Sequence, residues 1–276
     1  MSQAVTHLTA AAIQMVSGGD LSANLATARR LVRDAALAGA ELVALPEYFY
    51  LMPEDETERV ALAEPAGGGR FEAFLSELAR EFGIWLLGGT IPTQSNEPGK
   101  MYNSSLLFGP DGICRQRYHK MHLFGFDNGV EHYQESATMS AGDLVASAYT
   151  PWGALRMSVC YDLRFPELYR QAPAPVLLTA PAAFTYATGE KHWELLLRAR
   201  AVENLAFMIA PGQGGHHPGG RRTWGHSMIV DPWGDVLACH AEGEGMALAK
   251  LDLVYQAELR QRLPALQHRR LFNTDA

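Results

Sequence analysis

Strand-length apolar runs alternate with amphipathic helical segments in both halves of this chain, with hairpin signals between them. That pattern confines it to α/β folds with a mixed sheet, because such helices must bury one stripe against a sheet face. Leu8–Val16 reads as a first strand. Asp20 or Ser22 can cap a helix running to about Ala38, with Leu25, Ala28, Val32 and Ala35 on one face and Gly39 at its end. Glu41–Leu45 is a buried strand, Glu54–Gly69 a charged, glycine-rich surface loop, and Phe71 to Phe82 a helix stopped by Gly83. Ile84–Thr90 is a third strand. Ser104–Phe108 and Ile113–Tyr118 flank the turn Gly109-Pro110-Asp111-Gly112. From His122 to about Asp143 no period is visible.

The second half repeats the theme. Strands Val145–Tyr149 and Ala154–Cys160 precede a helix over Phe165–Gln171 and a buried strand at Pro175–Thr179. A long helix covers Glu190–Asn204, followed by a strand at Leu205–Ala210 and a glycine-rich Gly212–Gly220 segment that reads as a flexible loop. Three strands (Thr223–Asp231, Val236–Ala238, Met246–Leu251) and a helix from about Val254 to Arg262 complete the chain. No linker or fixed-period repeat divides it, so one domain over residues 1–276 is expected.

Composition narrows the function. A net charge of −7, with scattered Lys and Arg, argues against nucleic-acid binding through phosphate neutralisation. No apolar run is long enough to span a membrane, and no secretory signal stands at the N-terminus. Three cysteines without C-x-x-C spacing make a disulfide framework unlikely to be the organising device and fit a reducing compartment, so a cytoplasmic location is expected.

One of those cysteines stands out. Cys160 ends an apolar stretch, and Pro166 opens a helix soon after, which puts a thiol on a strand-to-helix turn whose backbone N–H groups can face a developing negative charge. A neutral thiol attacks carbonyl carbon poorly and needs a base or a charged setting. Glu47 after a buried strand, Lys120 after a hairpin strand, and Glu135 in the aperiodic segment are the candidates. Taken singly, such acidic residues are more often solvated turns or helix caps, and such a lysine usually snorkels.

Taken together, they carry a resemblance. Leu45-Pro46-Glu47, His119-Lys120-Met121-His122-Leu123-Phe124, Gln134-Glu135-Ser136 and Cys160-Tyr161-Asp162-Leu163-Arg164-Phe165-Pro166-Glu167 occur in order, with 73 residues from Glu47 to Lys120 and 40 from Lys120 to Cys160. Arg198 to Asn204 and Trp224-Gly225-His226-Ser227-Met228 follow. Over nearly its whole length the chain resembles the nitrilase superfamily of carbon–nitrogen hydrolases. The resemblance implies a four-layer α-β-β-α sandwich and a Glu-Lys-Cys triad with a second glutamate beside it. Glu47 would be the general base, Cys160 the nucleophile, Lys120 the oxyanion stabiliser, and Glu135 a support for the lysine that also orients substrate or water. The Tyr161 N–H would be the second oxyanion donor. No metal or organic cofactor is implied.

Tyr161-Asp162 after the cysteine fits amidases, where true nitrilases carry Trp-Glu. The resemblance leans to the deaminated glutathione amidase group, with ω-amidases acting on 2-oxoglutaramate or 2-oxosuccinamate as the alternative. Both substrate types bear carboxylates. Arg164 could pair with one, or with Glu167 or Asp162 instead. Tyr48, Phe49, Tyr50, Phe124 and Phe184 are candidate lining residues. The expected partners are a small-molecule amide and a second copy of the chain, the dimer or higher oligomer using Phe165–Gln171 and the C-terminal segment from about 253 to 276, with Leu168, Tyr169, Leu263 and Leu266 as its apolar residues.

Rival classes fit less well. The ten histidines show no metal-binding spacing with a carboxylate, a thiol phosphatase would carry arginine where Pro166 stands, and a papain-like protease would need other surroundings for its cysteine. A catalytically silent binding relative is the remaining alternative.

Overall fold

The computed structural model describes residues 5–270 except 128, 130 and 131. Its first strand, β1 (His7–Met15), is apolar on both faces. Leu8, Ala10 and Ala12 point into one core cluster, and Ala11, Ile13 and Met15 into another, as the two-residue period of a strand requires. Asp20, not Ser22, caps α1 (Leu21–Leu37), accepting from the Ala23 N–H at 3.0 Å. β2 (Leu42–Ala44) follows.

The expected surface loop from Glu54 to Gly69 contains a short helix, α2 (Thr57–Ala61). Its Arg59 is not solvated: the guanidinium stacks over the Tyr48 ring at 3.9 Å. α3 (Arg70–Phe82) stops at Gly83, whose φ of +63° is left-handed and suits glycine. β3 (Trp85–Leu87) leads to β4 (Ile91–Gln94), which lies antiparallel to β5 (Met101–Phe108). β4 is an edge strand, which is why it can hold Pro92. β5 and β6 (Cys114–His119) form the expected hairpin. The aperiodic segment contains a second, small hairpin of β7 (Gly125–Asp127) and β8 (His132–Gln134).

β9 (Ser147–Thr150) and β10 (Gly153–Met157) pair antiparallel. A 3-10 turn over Cys160–Arg164 and the short α4 (Pro166–Tyr169) replace the single helix expected at Phe165–Gln171. β11 (Leu177–Thr179), α5 (Tyr186–Asn204) and β12 (Phe207–Ala210) follow, α5 beginning four residues before the expected Glu190.

Two glycine-rich places depart from expectation. Gly212–His216 is a strand, β13, not a flexible loop. It runs parallel to β1, and its glycines permit contacts that side chains would block: a Cβ on Gly214 would stand 2.7 Å from the Gly225 Cα. The strand expected over Thr223–Asp231 is two: β14 (Arg222–Trp224), paired with β13, and β15 (Ser227–Val230), paired with β12. Gly225 and His226, at φ +72° and +53°, turn the chain from one sheet into the other. β16 (Val236–His240), β17 (Gly245–Asp252) and α6 (Leu253–Arg262), capped by Asp252, complete the described elements.

The strands form two large sheets. One has the order β14-β13-β1-β2-β3-β5-β4, with β17 also on β1 and β6 on β5; the other runs β16-β15-β12-β11-β10-β9. One core cluster packs Ala28, Leu31, Val32 and Ala35 of α1 and Phe71, Leu75 and Leu78 of α3 against the outer face of the first sheet. The other joins Ala10, Ala12, Leu42 and Ala44 of that sheet to Leu155, Met157, Leu177 and Phe207 of the second, and reaches Trp193 and Leu197 of α5 on its far side. The result is the expected α-β-β-α sandwich. Leu168 and Tyr169, expected at an oligomer contact, are buried in this second cluster, whereas Leu263 is 42% exposed; residues 271–276 of the expected C-terminal contact lie outside the described residues.

The close approach at Gly214 yields a prediction. Gly214→Ala forces backbone or the Gln14 side chain to shift and should cost about 1–3 kcal/mol. Urea unfolding reads this as a lower midpoint at unchanged slope; an unaltered midpoint would refute the packing account.

Candidate active site

Glu47 follows β2, Lys120 follows β6, Glu135 follows β8 and Cys160 follows β10. Glu47, Glu135 and Cys160 line one recess with Phe124, Tyr161, Arg164, Ala183, Phe184, Thr185, Thr188 and Arg221. Lys120 lies beneath it, fully buried. Its ammonium bonds Glu47 Oε1 at 2.9 Å and both oxygens of Glu135 at 2.9 and 2.8 Å. Its backbone is clamped too, donating to the Asn103 carbonyl and accepting from the Gly142 N–H. Burial works against the lysine charge, but Glu135 and Glu47 outweigh it and hold the pKa above the ordinary lysine value.

Each carboxylate is satisfied by further donors. Glu47 accepts from Asn103 Nδ2 and from the Ala183 N–H, both at 2.9 Å. Glu135 accepts from the Tyr48 hydroxyl at 2.9 Å and the Phe124 N–H at 2.7 Å. Burial pushes the Glu135 pKa up, yet Lys120 and these bonds more than reverse it, and the carboxyl sits below the usual range. Burial and the neighbouring Glu135 push the Tyr48 phenol well up, so it serves as a donor.

Cys160 has a φ of +48°, uncommon for any residue with a Cβ, and its N–H donates to the Pro181 carbonyl at 2.9 Å. Burial, then Glu47, push its thiol well above the ordinary value, with Lys120 opposing. At neutral pH the sulfur is therefore a thiol, and attack requires that its proton be removed during the reaction.

Asp162 holds this turn in place. Its Oδ2 accepts from the Tyr118 hydroxyl at 2.7 Å and the Val159 N–H at 2.8 Å. Its Oδ1 bonds the His122 N–H at 3.1 Å and His122 Nδ1 at 2.7 Å. One buried carboxylate thus ties the Cys160 turn to the segment carrying Lys120. From the other side Arg200 of α5 donates twice to the Leu163 carbonyl, at 2.9 and 2.6 Å.

The remaining candidates divide. Tyr161, Phe124 and Phe184 line the recess. Arg164 does also, paired with neither Asp162 nor Glu167: its guanidinium lies 3.3 Å from His192 Nδ1 and over the Tyr161 and Phe184 rings. Tyr48 stands behind the recess as a partner of Glu135. Tyr50, expected to line it, is instead core, packed on Phe71 and Phe49, because it points away from Tyr48 into the helix-facing cluster; Phe49 lies there as well. Asn103, Ala183 and Arg221 escaped the sequence reading. Asn103 left no distinguishing signal, because Ser104 and Ser105 beside it in β5 are polar and buried as well.

The histidines have other work. His119 bonds Ser104 at 2.7 Å, and His217 sits between the Ser17 carbonyl at 2.8 Å and Thr223 Oγ1 at 2.7 Å. Among the described residues no group of three or more His, Cys, Asp or Glu side chains is arranged to hold a metal ion. No helix among them is long and apolar enough to cross a membrane.

Two measurements check this arrangement. Asp162→Asn places an amide N–H₂ among donors and should cost about 1–3 kcal/mol while lowering kcat, read by urea unfolding and steady-state rates; an unshifted midpoint with full turnover would show the clamp dispensable. Burial lowers the pKa of His217 to about 4, so the folded state binds fewer protons than the unfolded chain below pH ~6.5. Its stabilising contribution is complete above that pH, falls as pH drops towards 4, and totals about 3 kcal/mol. His217→Gln should therefore lose less stability than the parent between pH 7 and pH 4; equal losses would contradict this.

The sequence and the fold both have known counterparts. The carbon-nitrogen hydrolase family model matches residues 9–261. A deaminated glutathione amidase of Synechocystis sp. is 43% identical over 266 residues, covering 94% of this chain and 97% of that protein. An omega-amidase of Xenopus laevis is 40% identical over 259 residues, 92% of each. The solved structure of Saccharomyces cerevisiae Nit3, a member of branch 10 of the nitrilase superfamily, superposes with a TM-score of 0.85 at 33% identity, covering 96% of this chain and 97% of that one.

Proposed function

The chain belongs to the carbon–nitrogen hydrolase family, and on that premise we propose that it is an amidase using Cys160 as nucleophile on a small, carboxylate-bearing amide. The observation that carries the residue roles is the buried Lys120, bonded to Glu47 and Glu135 beside the Cys160 thiol. A protonated thiol needs a base at the moment of attack, and Glu47 is the carboxylate in the recess suited to that task. The four hydrogen bonds that Glu135 receives within the protein suit a support for Lys120 better than a substrate contact.

In the proposed course the thiol proton passes to Glu47 as the sulfur bonds the amide carbon. Lys120 Nζ and the Tyr161 N–H meet the negative oxygen of the tetrahedral intermediate. Collapse breaks the C–N bond, and Glu47 returns the proton to the departing nitrogen. Water then gives a proton to Glu47 and its hydroxide to the thioester carbon. The C–S bond breaks, and the sulfur recovers its proton from Glu47.

The substrate class follows from Arg164, a guanidinium in the recess without a carboxylate partner among the described residues, and from the amidase relatives. We assign a deaminated glutathione-type amide, whose leaving group is a peptide amine. A second reading, an ω-amide of a short α-keto diacid that releases ammonia, is supported by the omega-amidase relative. The same reading makes the protein a cytoplasmic homodimer, with residues 253–276 in the contact; sedimentation tests the assembly.

Cys160→Ala should lower kcat by on the order of 10⁴-fold or more while leaving the unfolding midpoint in place. Ordinary turnover by that variant ends the proposal, and a silent binding relative would show no turnover of either amide by the parent. An acyl adduct trapped during turnover should lie on Cys160; mass spectrometry placing it on Cys114 or Cys239 would identify a different nucleophile.

A further inference from the structure

Two arginines line the recess, and they stand among different neighbours. Arg164 lies over the Tyr161 and Phe184 rings, on the same turn as the nucleophile. Arg221 lies 5.9 Å from the Tyr48 ring centre and 5.4 Å from that of Tyr133. Its one acidic partner among the described residues is Glu56, which bonds Nη1 at 3.2 Å, and Glu56 is shared with Arg59. One carboxylate between two guanidiniums leaves a positive charge unbalanced. Glu47 and Glu135 make no ion pair with Arg221, their oxygens being taken by Lys120 and by the Asn103, Ala183, Tyr48 and Phe124 donors. Arg221 Nε is also buried with no hydrogen-bond partner among the described residues, a donor that an incoming anion would satisfy.

We propose that Arg221 forms a second carboxylate subsite, which holds the terminal carboxylate of the leaving amine. The proposal rests on the amidase reading of the same recess and narrows it to amides with an acid on each side of the scissile bond. The division between the two arginines follows from the order of events. The acyl group stays on Cys160 after the C–N bond breaks, so its anchor belongs on the nucleophile's own turn, where Arg164 is. The amine must depart, and Arg221 is tethered to Glu56, whose side chain is 44% exposed. An amide that releases ammonia has nothing to offer Arg221, so this residue favours the peptide-amine substrate over the short ω-amide.

Binding to the Cys160→Ala protein tests this without requiring turnover. The probes are the 2-oxoglutaryl amide of a dipeptide and the same compound with its terminal carboxylate converted to a carboxamide. Calorimetry should show the carboxylate form binding at least tenfold more tightly, and the preference should fall below threefold when Arg221→Gln is added. Arg221→Lys, which keeps the charge but not the fork, should retain part of it. Unfolding midpoints check that each variant is folded. The proposal is overturned by a carboxylate preference that survives Arg221→Gln, by one that disappears with Arg164→Gln instead, or by none in the Cys160→Ala protein. Parent turnover of the peptide amide and of 2-oxoglutaramate is measured separately. Failure there refutes the amidase reading, while the binding cycle still decides whether Arg221 recognises the carboxylate.

Discussion

A lysine ammonium buried between two carboxylates is the constraint around which the rest of the molecule is arranged. Removing three charges from water costs several kcal/mol per ion, and mutual attraction offsets that only when the remaining hydrogen-bonding positions are filled. Here they are filled from distant parts of the chain: Asn103 from β5, the Ala183 N–H beyond β11, the Phe124 N–H and the Tyr48 hydroxyl. Both sheets must be in place before this cluster is satisfied. Burial first, and then the carboxylate of Glu47 against the opposing lysine, keep the thiol beside this cluster neutral.

The residues after Cys160 divide their duties by direction. Tyr161 and Arg164 face the recess, while Asp162 turns inward and receives four hydrogen bonds from Tyr118, Val159 and His122. Asp162 therefore makes no direct contact with a reacting group; it fixes the distance between two segments that do. Burial together with Asp162 pushes the Tyr118 phenol well up, keeping it a donor to that carboxylate. The Tyr-Asp pair that marks the amidase pattern in sequence thus combines a wall of the recess with an internal brace.

Much of this was legible beforehand, and the failures have identifiable causes. Strands with apolar side chains on both faces, such as β1 and β2, announce themselves, and so do a capped helix and a Gly-Pro-Asp-Gly turn. β13 did not, because glycine carries no side chain from which a period could be read, and its strand character comes from the neighbours it approaches. Cys160, Lys120, Glu47 and Glu135 are legible from motifs in fixed order, and the structure brings them together. Arg221 was missed because it belongs to a stretch whose composition signals only a loop. Tyr50 was misjudged because adjacency to Glu47 along the chain says little about direction when the backbone between them turns at Tyr48, with φ +55°.

The pairing of β1 with β17 bears on how the protein is made. Every residue from His7 to Gln14 has its partner between Asp252 and Gly245, so the beginning of the chain completes its sheet with nearly the last strand. At typical synthesis rates of about 5–20 residues per second, the first strand waits roughly ten to fifty seconds for that partner. During this interval an apolar strand that will lie inside the sheet has an unpaired edge on the ribosome. Folding of the first sheet is therefore tied to synthesis through Asp252, and a chain that stops short of Gly245 leaves β1 without the strand that covers it.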